Sequence, residues 1–426
     1  MTKLFLSLVF CSAILLLPTF AYAESRLDKG LIGANVQELI EWADAHNPEL
    51  LAMRYEVDAA SERITQSGAL PDPTLRVELQ DFAGPGAPNG FNPLPGQGGG
   101  TKYTLTQSLP LWGKRDLRRE LATADLEQYK GRRYASVSEI HAQIKTAYAQ
   151  YYQSVGLKKL NDEILQLLTD LESVAQIRYA SGLVPQQDVI RAQVEKTTLR
   201  SENITLETEQ HHAVTKLNTA MGRPQHAPIM VPQSLRGIDA KKLDSTLLQE
   251  KLARSNPLLT TQSAQIAMAD ANRRLVEKNR YPDVTLGIAP TQRGGSIDSW
   301  EAMVEVNIPI RFDTRRAQES EALAMLSAAN ERRQAIANQV AGELQESLSA
   351  YEAAEKQQAL IQDTLLPQTE LTFRSALAGY ESGKVDFATL LEAQRSIKRA
   401  KQDKLRAQVE QDLRLTDIER MIGGEL

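Results

Sequence analysis

The segments Arg178-Tyr179-Ala180-Ser181-Gly182 and Gly379-Tyr380-Glu381-Ser382-Gly383 decide the fold of this chain. Each places Tyr-X-Ser-Gly at the end of a long stretch rich in helix-forming residues. Two copies of one supersecondary plan predict a protomer with an internal pseudo-twofold. The same motifs flank both copies at an offset of roughly 200 residues: Asn47-Pro48 and Asn256-Pro257, Pro71-Asp72 and Pro282-Asp283, Leu109-Pro110-Leu111 and Ile308-Pro309-Ile310, Ala192-Gln193 and Ala393-Gln394.

This duplication divides the chain into two structural repeats, 24–222 and 246–426, joined by a proline-bearing linker over 223–245. In the first repeat we expect a β-hairpin at about 74–109 and a long helical hairpin whose tip lies near residue 182. In the second, the β-hairpin is expected at about 284–309 and the tip near residue 383.

Residues 1–23 are expected to be a secretory signal peptide. Lys3 supplies the positive start, Leu4–Leu17 the apolar run, and Ala21-Tyr22-Ala23 a small-residue cleavage site. Cys11 is the single cysteine and lies within that run. An exported mature chain without cysteine excludes disulfides and thiol chemistry.

Composition favours long helices packed side by side over a thick globular core. Aromatic residues make up only 5% of the chain, while Ala, Leu, Gln, Glu, Arg and Lys dominate. A formal charge of −5 gives no reason to expect nucleic-acid binding. After the signal peptide no apolar run approaches the length of a membrane-spanning helix.

Period-2 alternation predicts four strands, each with an apolar and a polar face. Leu75, Val77 and Leu79 alternate with polar residues in the first hairpin, whose loop is rich in Gly, Pro and Asn. In the second, the returning strand is expected to carry Val304, Val306 and Ile308 on one face. Because open sheet edges are not tolerated in lipid, four strands require oligomerisation. Three copies would supply a twelve-stranded membrane β-barrel.

The helical stretches show apolar residues spaced three and four apart, as in the seam of a coiled coil. From Pro110 to Gly182 is about 72 residues, or ~108 Å of helix. Leu183–Gly222 and Asn47–Leu70 add ~60 Å and ~36 Å, so two shorter helices stacked end to end nearly match the long one. The predicted fold class is therefore mainly α with a membrane β-barrel: a two-repeat protomer of long coiled-coil helices and four strands, in a trimer with an α-helical periplasmic tunnel. The expected seam residues are Ile140, Ile144, Ala147, Tyr151 and Val155, and then Val340, Leu344, Leu348 and Tyr351.

The chain resembles the TolC-type outer-membrane efflux proteins. The resemblance rests on the repeats and on the tip segments at 178–193 and 379–396. The block TQSLPLWGKRDLRR at 106–119 is most similar to the branch that serves heavy-metal pumps of the resistance–nodulation–division class. The resemblance implies a homotrimeric duct in the outer membrane of a Gram-negative bacterium, extending into the periplasm. Its implied partners are a periplasmic adaptor, an inner-membrane pump of that class and outer-membrane lipid, and its implied cargo is heavy-metal cations.

The same resemblance implies roles for residues at the helical tips. The tips would dock the adaptor, and nearby side chains would form a periplasmic gate. A Tyr380–Asp188 hydrogen bond would act as a latch, and Glu392 would contribute to an acidic ring in the lumen. Two positions depart from the family pattern, Val385 and Thr389, so either Asp386 or Lys384 is expected to substitute, and Asp386 is a further gate candidate. The implied docking residues are Ser181, Gly182, Leu183, Ser382, Gly383 and Lys384.

A membrane-interface site is predicted where each second strand gives way to helix. Trp112 would lie in an interfacial aromatic girdle. Lys114 and Arg115 would face anionic headgroups or neighbouring carboxylates. Arg311 and Phe312 repeat this arrangement in the second half.

No catalytic, cofactor or metal site is predicted, and we expect no enzyme. His211 and His212 are adjacent on a predicted helix and therefore point in different directions. No nucleophile elbow, phosphate loop or zinc-protease motif occurs. Two alternatives remain open: a duct for drugs or a type I secreted protein, and a periplasmic coiled-coil adaptor or scaffold. Neither an adaptor nor a scaffold would need two repeats with four alternating strands.

Overall fold

The computed structural model describes residues 31–81, 99–237 and 240–426. The predicted signal peptide, 1–23, and the first hairpin's loop between residues 82 and 98 lie outside these ranges. None of the helices in the described part of the chain meets the length and hydrophobicity that a membrane-spanning helix requires.

The elements of the second half follow the order of those in the first. A short 3₁₀ turn, Ala240–Leu243, precedes the second series. The elements are α1 (Val36–His46), α2 (Pro48–Gly68), β1 (Thr74–Gln80), β2 (Gly100–Leu109), α3 (Lys114–Ala180) and α4 (Gln186–Ala220), then α5 (Ser245–Ser255), α6 (Pro257–Lys278), β3 (Val284–Arg293), β4 (Ser296–Val306), α7 (Phe312–Leu360), α8 (Leu366–Glu381) and α9 (Phe387–Ile422).

One π-helical turn, Ile361–Leu365, separates α7 from α8. The last buried residue of α7 is Ala354, and Ile361 follows it at a spacing of seven positions, which is two helical turns. The buried residues of α8, Ala376 and Tyr380, lie one position later than that spacing predicts. The π turn absorbs the extra residue and keeps both apolar stripes on one face. Pro367 follows this π turn, at the start of α8.

The helices form one elongated layer of four columns. The column of α3 packs against α2 and α4 on one side and against α6 and α9 on the other, and α7 packs against α6 and α9. Seven of the nine predicted seam residues are buried, while Val155 and Tyr351 are half-buried. Ile140, Ile144, Ala147 and Tyr151 are buried in a cluster with α1 and α4. Val340, Leu344 and Leu348 are buried with residues of α5 and α9.

Asn47 joins α4 and α2 end to end, as the helix lengths predicted. Its side-chain oxygen accepts from the N–H groups of Glu49, at 2.8 Å, and Leu50, at 3.2 Å, which caps α2. Its Nδ2 donates to the Ala220 carbonyl at 2.6 Å, which satisfies the end of α4. Gly222, with φ +71°, lets the chain turn here, since a Cβ would lie 2.7 Å from Pro48 Cδ. One side chain thus makes two helices into a single column.

Asn256 repeats this joint between α9 and α6. Its oxygen accepts from Leu259 N at 2.9 Å, and its Nδ2 donates to the Met421 carbonyl at 2.7 Å. The residue is only 2% exposed. The second column therefore depends on a fully buried amide.

The four strands are confirmed and form one antiparallel sheet in the order β1-β2-β3-β4. Leu75, Leu105 and Ile288 are cross-strand neighbours on one face, and all three are exposed. On the opposite face Lys102 Nζ lies 2.7 Å from Glu301 Oε2. The sheet thus has an outward apolar face and a charged face, as the alternation predicted.

The second hairpin is shorter than predicted. β4 ends at Val306, so Ile308 is outside the strand and largely exposed. Asn307 N donates to Asp283 O at 3.1 Å and closes the ladder. Pro309, which has no N–H, cannot extend it.

A buried ionic cluster fastens the linker to α3 and α9. Arg236 donates to Asp412 at 3.2 Å, to Thr416 at 2.9 Å and to Glu419 at 2.5 Å. Lys145 of α3 lies 2.8 Å from Glu419. Burial raises the pKa of Asp412, and Arg236 offsets this only in part. Burial would also raise the pKa of Glu419, but the attraction of Arg236 and Lys145 outweighs it and holds that pKa below its ordinary value.

We expect Asn256→Ala to lower the free energy of unfolding by about 1–3 kcal/mol, because it removes a cap and leaves the buried Met421 carbonyl without a donor. Urea unfolding followed by circular dichroism measures this loss. Asn330→Ala is the matched control, since Asn330 is exposed and donates only to Leu326 of its own helix. Equal losses in the two variants would contradict the joint.

Glu419→Gln and Asp412→Asn should have different effects on stability at pH 7. A folded pKa below the unfolded one means that Glu419 stabilises above its unfolded pKa and loses this effect as the pH falls through the folded pKa. Glu419→Gln should therefore cost about 1–3 kcal/mol at neutral pH and progressively less on acidification. The raised pKa of Asp412 means that its ionisation opposes folding at neutral pH, so Asp412→Asn should be neutral or stabilising there. Unfolding midpoints measured between roughly pH 7 and pH 4 test both, and a larger loss for Asp412→Asn would refute this assignment.

Candidate functional site

The first helical tip ends α3 with a glycine in the left-handed region. Gly182 has φ +69°, and its N–H donates to the Tyr179 carbonyl at 2.9 Å. The Leu183 N–H donates to the Arg178 carbonyl at 2.9 Å. These two bonds satisfy the last carbonyls of the helix. Leu183 and Ser181 are left exposed at the turn.

The second tip has the same backbone geometry at the end of α8. Gly383 has φ +72°, and its N–H donates to the Tyr380 carbonyl at 3.0 Å. Lys384 N donates to the Gly379 carbonyl at 2.8 Å. Ser382 and Lys384 are exposed. The six residues singled out for docking therefore occupy two matching, accessible turns.

The two tips share one apolar core. Tyr380 is 1% exposed and Phe387 is fully buried, with ring centroids 5.2 Å apart. Leu171 of α3 and Val189 of α4 belong to the same cluster. Tyr380 is therefore a core residue between the hairpins.

The structure does not form the latch bond expected between Tyr380 and Asp188. The Tyr380 hydroxyl is buried and has no hydrogen-bond partner among the described residues. Its ring is held instead between Phe387 and the guanidinium of Arg178. Burial raises the pKa of Tyr380, and the negative charge of Asp188 raises it further. Burial likewise raises the pKa of Asp188. The negative charge of Asp386 raises it further, while the positive charges of nearby arginines lower it in part.

Arg178 is the residue at the tips that sequence reasoning missed. Its Nη1 donates to the main-chain carbonyls of Tyr380, at 2.6 Å, and Glu381, at 2.8 Å. Its guanidinium carbon lies 5.0 Å from the centroid of the Tyr380 ring. One signal was present in the sequence: the two tip segments differ at the position before the shared tyrosine, where the second has Gly379.

Asp386 caps α9. Its side chain accepts from the Thr389 N–H at 2.9 Å, and the hydrogen bonds from Thr389 lower the pKa of Asp386. Val385 packs against Gly379, where a Cβ would lie 2.5 Å from Val385 Cγ2. The two departures from the family pattern, Val385 and Thr389, thus have structural roles at the second tip.

Glu392 lies on α9 and is largely exposed, with Arg395 at 4.0 Å. Arg395 is engaged more closely by Glu195 of α4, at 2.6 Å and 3.2 Å. Glu202 of α4 pairs in the same way with Lys398 at 2.6 Å. Glu392 is the most exposed carboxylate of these three.

At the sheet end, Lys114 is not available to lipid headgroups, which corrects its interface assignment. The side chain is 3% exposed, and its Nζ contacts Asp283 Oδ1 at 2.9 Å and the Tyr281 carbonyl at 2.8 Å. Of the two alternatives, the carboxylate partner is the observed one. Trp112 remains half exposed, donates to the Pro282 carbonyl at 2.8 Å and stacks on Tyr281 at 5.1 Å.

Arg115 also has an internal partner. It donates to the carbonyl of Gly68 at 2.6 Å and 3.0 Å, so it caps the end of α2. Arg311 and Phe312 start α7, and both are exposed. Trp112, Arg311 and Phe312 thus form the accessible part of the predicted interface.

Within the described ranges, no group of three or more His, Cys, Asp or Glu side chains is placed to hold a metal ion. His211 stacks on His226 of the linker, with centroids 5.9 Å apart.

Comparison with known proteins agrees with this architecture. The family described as "Outer membrane efflux protein" matches residues 39–223 and 247–424. The chain is 23% identical over 450 residues to the cobalt-zinc-cadmium resistance protein CzcC of Cupriavidus metallidurans, covering 99% of this chain and 100% of CzcC. Its fold is similar to that of a membrane protein from Pseudomonas aeruginosa, with a TM-score of 0.79, 18% identity and coverage of 93% and 91% of the two chains. It is also similar to CusC, with a TM-score of 0.78, 17% identity and coverage of 91% and 92%.

The family match spans both helical hairpins and both β-hairpins, apart from the linker between them. The resemblance that the tip segments indicated is thereby confirmed, together with a role in efflux at the outer membrane. The chain belongs to the outer membrane efflux protein family.

Proposed function

We propose that three copies of this chain form the outer-membrane duct of a tripartite pump that exports heavy-metal cations. The observation that carries the proposal is the four-stranded sheet, which has an exposed apolar face and continues directly into a helical layer. The open edges of such a sheet would leave unpaired main-chain groups in the bilayer. The helical layer likewise has two long sides that need a partner surface.

The sheet supports closure by copies of itself. β1 and β4 lie at its two edges. Three sheets joined at these edges give a twelve-stranded barrel, with the apolar residues toward lipid and the charged face toward the lumen. In this assembly each repeat, 24–222 and 246–426, contributes one hairpin, and the linker 223–245 lies outside the barrel.

The helical layer supports the same closure. The α2/α4 column at one side exposes Ile190, Val194 and Ile204 of α4. The α7/α8 column at the other side exposes Leu360 and Leu371. Contact between these sides in a ring buries both apolar sets and produces a tunnel below the barrel.

Heavy-metal cations are the proposed cargo because the match to CzcC extends over almost the whole of both chains. The described residues offer no grouped metal ligands. A duct with this lining lets ions pass without holding them, so we assign selectivity to the inner-membrane pump of the resistance–nodulation–division class.

The tips are the proposed contact with the periplasmic adaptor. Both turns are exposed and share one geometry, so one adaptor motif fits either turn. The gate lies just above, among Asp188, Tyr380, Asp386 and Glu392. Three Glu392 carboxylates around an axis would favour cations at the constriction.

The native mass of the purified protein tests the assembly. In mild detergent the particle should have three times the chain mass, because the sheet edges and the exposed helix sides are then covered. The membrane-bound protein should also resist carbonate extraction. A stable monomer under these conditions would contradict the proposal.

Gly182→Leu and Gly383→Leu should abolish metal resistance in a strain that supplies the matching pump and adaptor. A side chain at φ near +70° costs about 1–2 kcal/mol per site, too little to unfold the protein, but it changes the docking surface. Growth on zinc, cobalt and cadmium salts measures the effect.

Gly295→Leu is the control, since Gly295 lies in the β3–β4 turn with nothing near its Cβ position. It should leave resistance intact. Unchanged resistance in the tip variants would reject the docking role. Wild-type protein that protects against drugs and not against metals would reject the cargo.

A further inference from the structure

Arg178 bridges the two helical hairpins of one protomer at their tips. It lies in the last turn of α3, and both of its hydrogen-bond acceptors lie at the end of α8. Its guanidinium covers the Tyr380 ring, which is itself buried in the core shared by the hairpins. Arg178, at the tip of the first helical hairpin, thus binds the main chain at the tip of the second.

The end of α8 is a favourable site for a guanidinium. The last carbonyls of a helix lack intrahelical donors and carry the negative end of the helix dipole. A planar guanidinium can donate to two carbonyls while it stacks on an aromatic ring. The guanidinium also lies beside Gly383, where a Cβ would be at van der Waals distance, 3.4 Å, from Arg178 Nη2.

The second repeat does not return this contact. Gly379 occupies the position equivalent to Arg178 and packs against Val385. The ion pairs between α4 and α9, such as Glu195 with Arg395, lie further along the helices. The phenol adds no bond at this point, since the Tyr380 hydroxyl has no described partner. The polar connection of the two turns therefore runs through Arg178.

We propose that Arg178 is the positioning residue that holds the two hairpin tips of each protomer together, and that closure of the periplasmic end depends on its bonds to the Tyr380 and Glu381 carbonyls and not on the Tyr380 hydroxyl. This inference rests on the proposed function and names the contact that keeps the duct closed. Because the bonded groups belong to the main chain, removing the Tyr380 hydroxyl leaves these two hydrogen bonds in place.

The distance between the tips gives a direct test. Cys11, the only cysteine of the sequence, lies in the predicted signal peptide, so Ser181→Cys and Ser382→Cys introduce a unique pair for spin labels at two exposed turns of the mature chain. Labelled protein diluted with unlabelled protein reports the distance within one protomer by pulsed electron resonance. We expect a narrow distribution in the wild-type background and a broader, longer one with Arg178→Met.

Three further variants separate the possible causes. Tyr380→Phe should leave the distribution narrow, since it removes only the hydroxyl. Arg178→Lys should give an intermediate width, because it keeps the charge without the planar pair of donors. Arg374→Met, at an exposed position of α8, should have no effect. A narrow distribution with Arg178→Met, or equal broadening with Tyr380→Phe, would overturn the proposal.

Conductance of the purified oligomer in planar bilayers tests the consequence. Arg178→Met should raise the open fraction by at least about tenfold, because it removes two charge-assisted hydrogen bonds and the loss of even one would have that effect, with the unfolding midpoint unchanged. If Arg178→Met broadens the distances but no variant conducts ions, the bridging role of Arg178 is supported and the proposed function as a duct is rejected. If Arg178→Met fails to assemble, Arg178→Lys compared with Tyr380→Phe decides the question by the same two measurements.

Discussion

The architecture depends on two asparagine side chains that connect helices through their ends. A helix end leaves several main-chain groups without partners, and burying them unpaired is costly. Asn47 and Asn256 each satisfy one helix start and one helix end with a single amide. Without these joints, short helices could not be extended into columns that match α3 and α7. The long regular layer, and everything positioned at its two ends, follows from this local solution.

Much of the fold was predictable because buried residues recur along the chain with one period in strands and another in helices. Alternation identified the strands, and spacings of three and four identified the seams, such as Ile140 with Ile144. Helix lengths predicted the end-to-end columns. The π turn at Ile361–Leu365 was missed because the stripes on either side are each regular, and only their relative phase reveals the extra residue.

The side-chain assignments were less predictable because they depend on partners that are distant in sequence. By sequence Lys114 belongs to a basic helix start, but the fold brings Asp283 beside it. Tyr380 was expected to bond Asp188, but the packing of Phe387 and Arg178 sets the direction of its ring. Local patterns indicate which face a residue occupies; they do not indicate which group it meets there.

The exchange of Arg178 for Gly379 between the repeats limits the symmetry of any ring built from this chain. By backbone alone, three protomers present six equivalent turns around the axis. By chemistry, turns that supply the Arg178 side chain alternate with turns whose last carbonyls accept its hydrogen bonds. A ring of six identical partner subunits would therefore meet two kinds of binding site, three of each. Its subunits would bind with two different affinities.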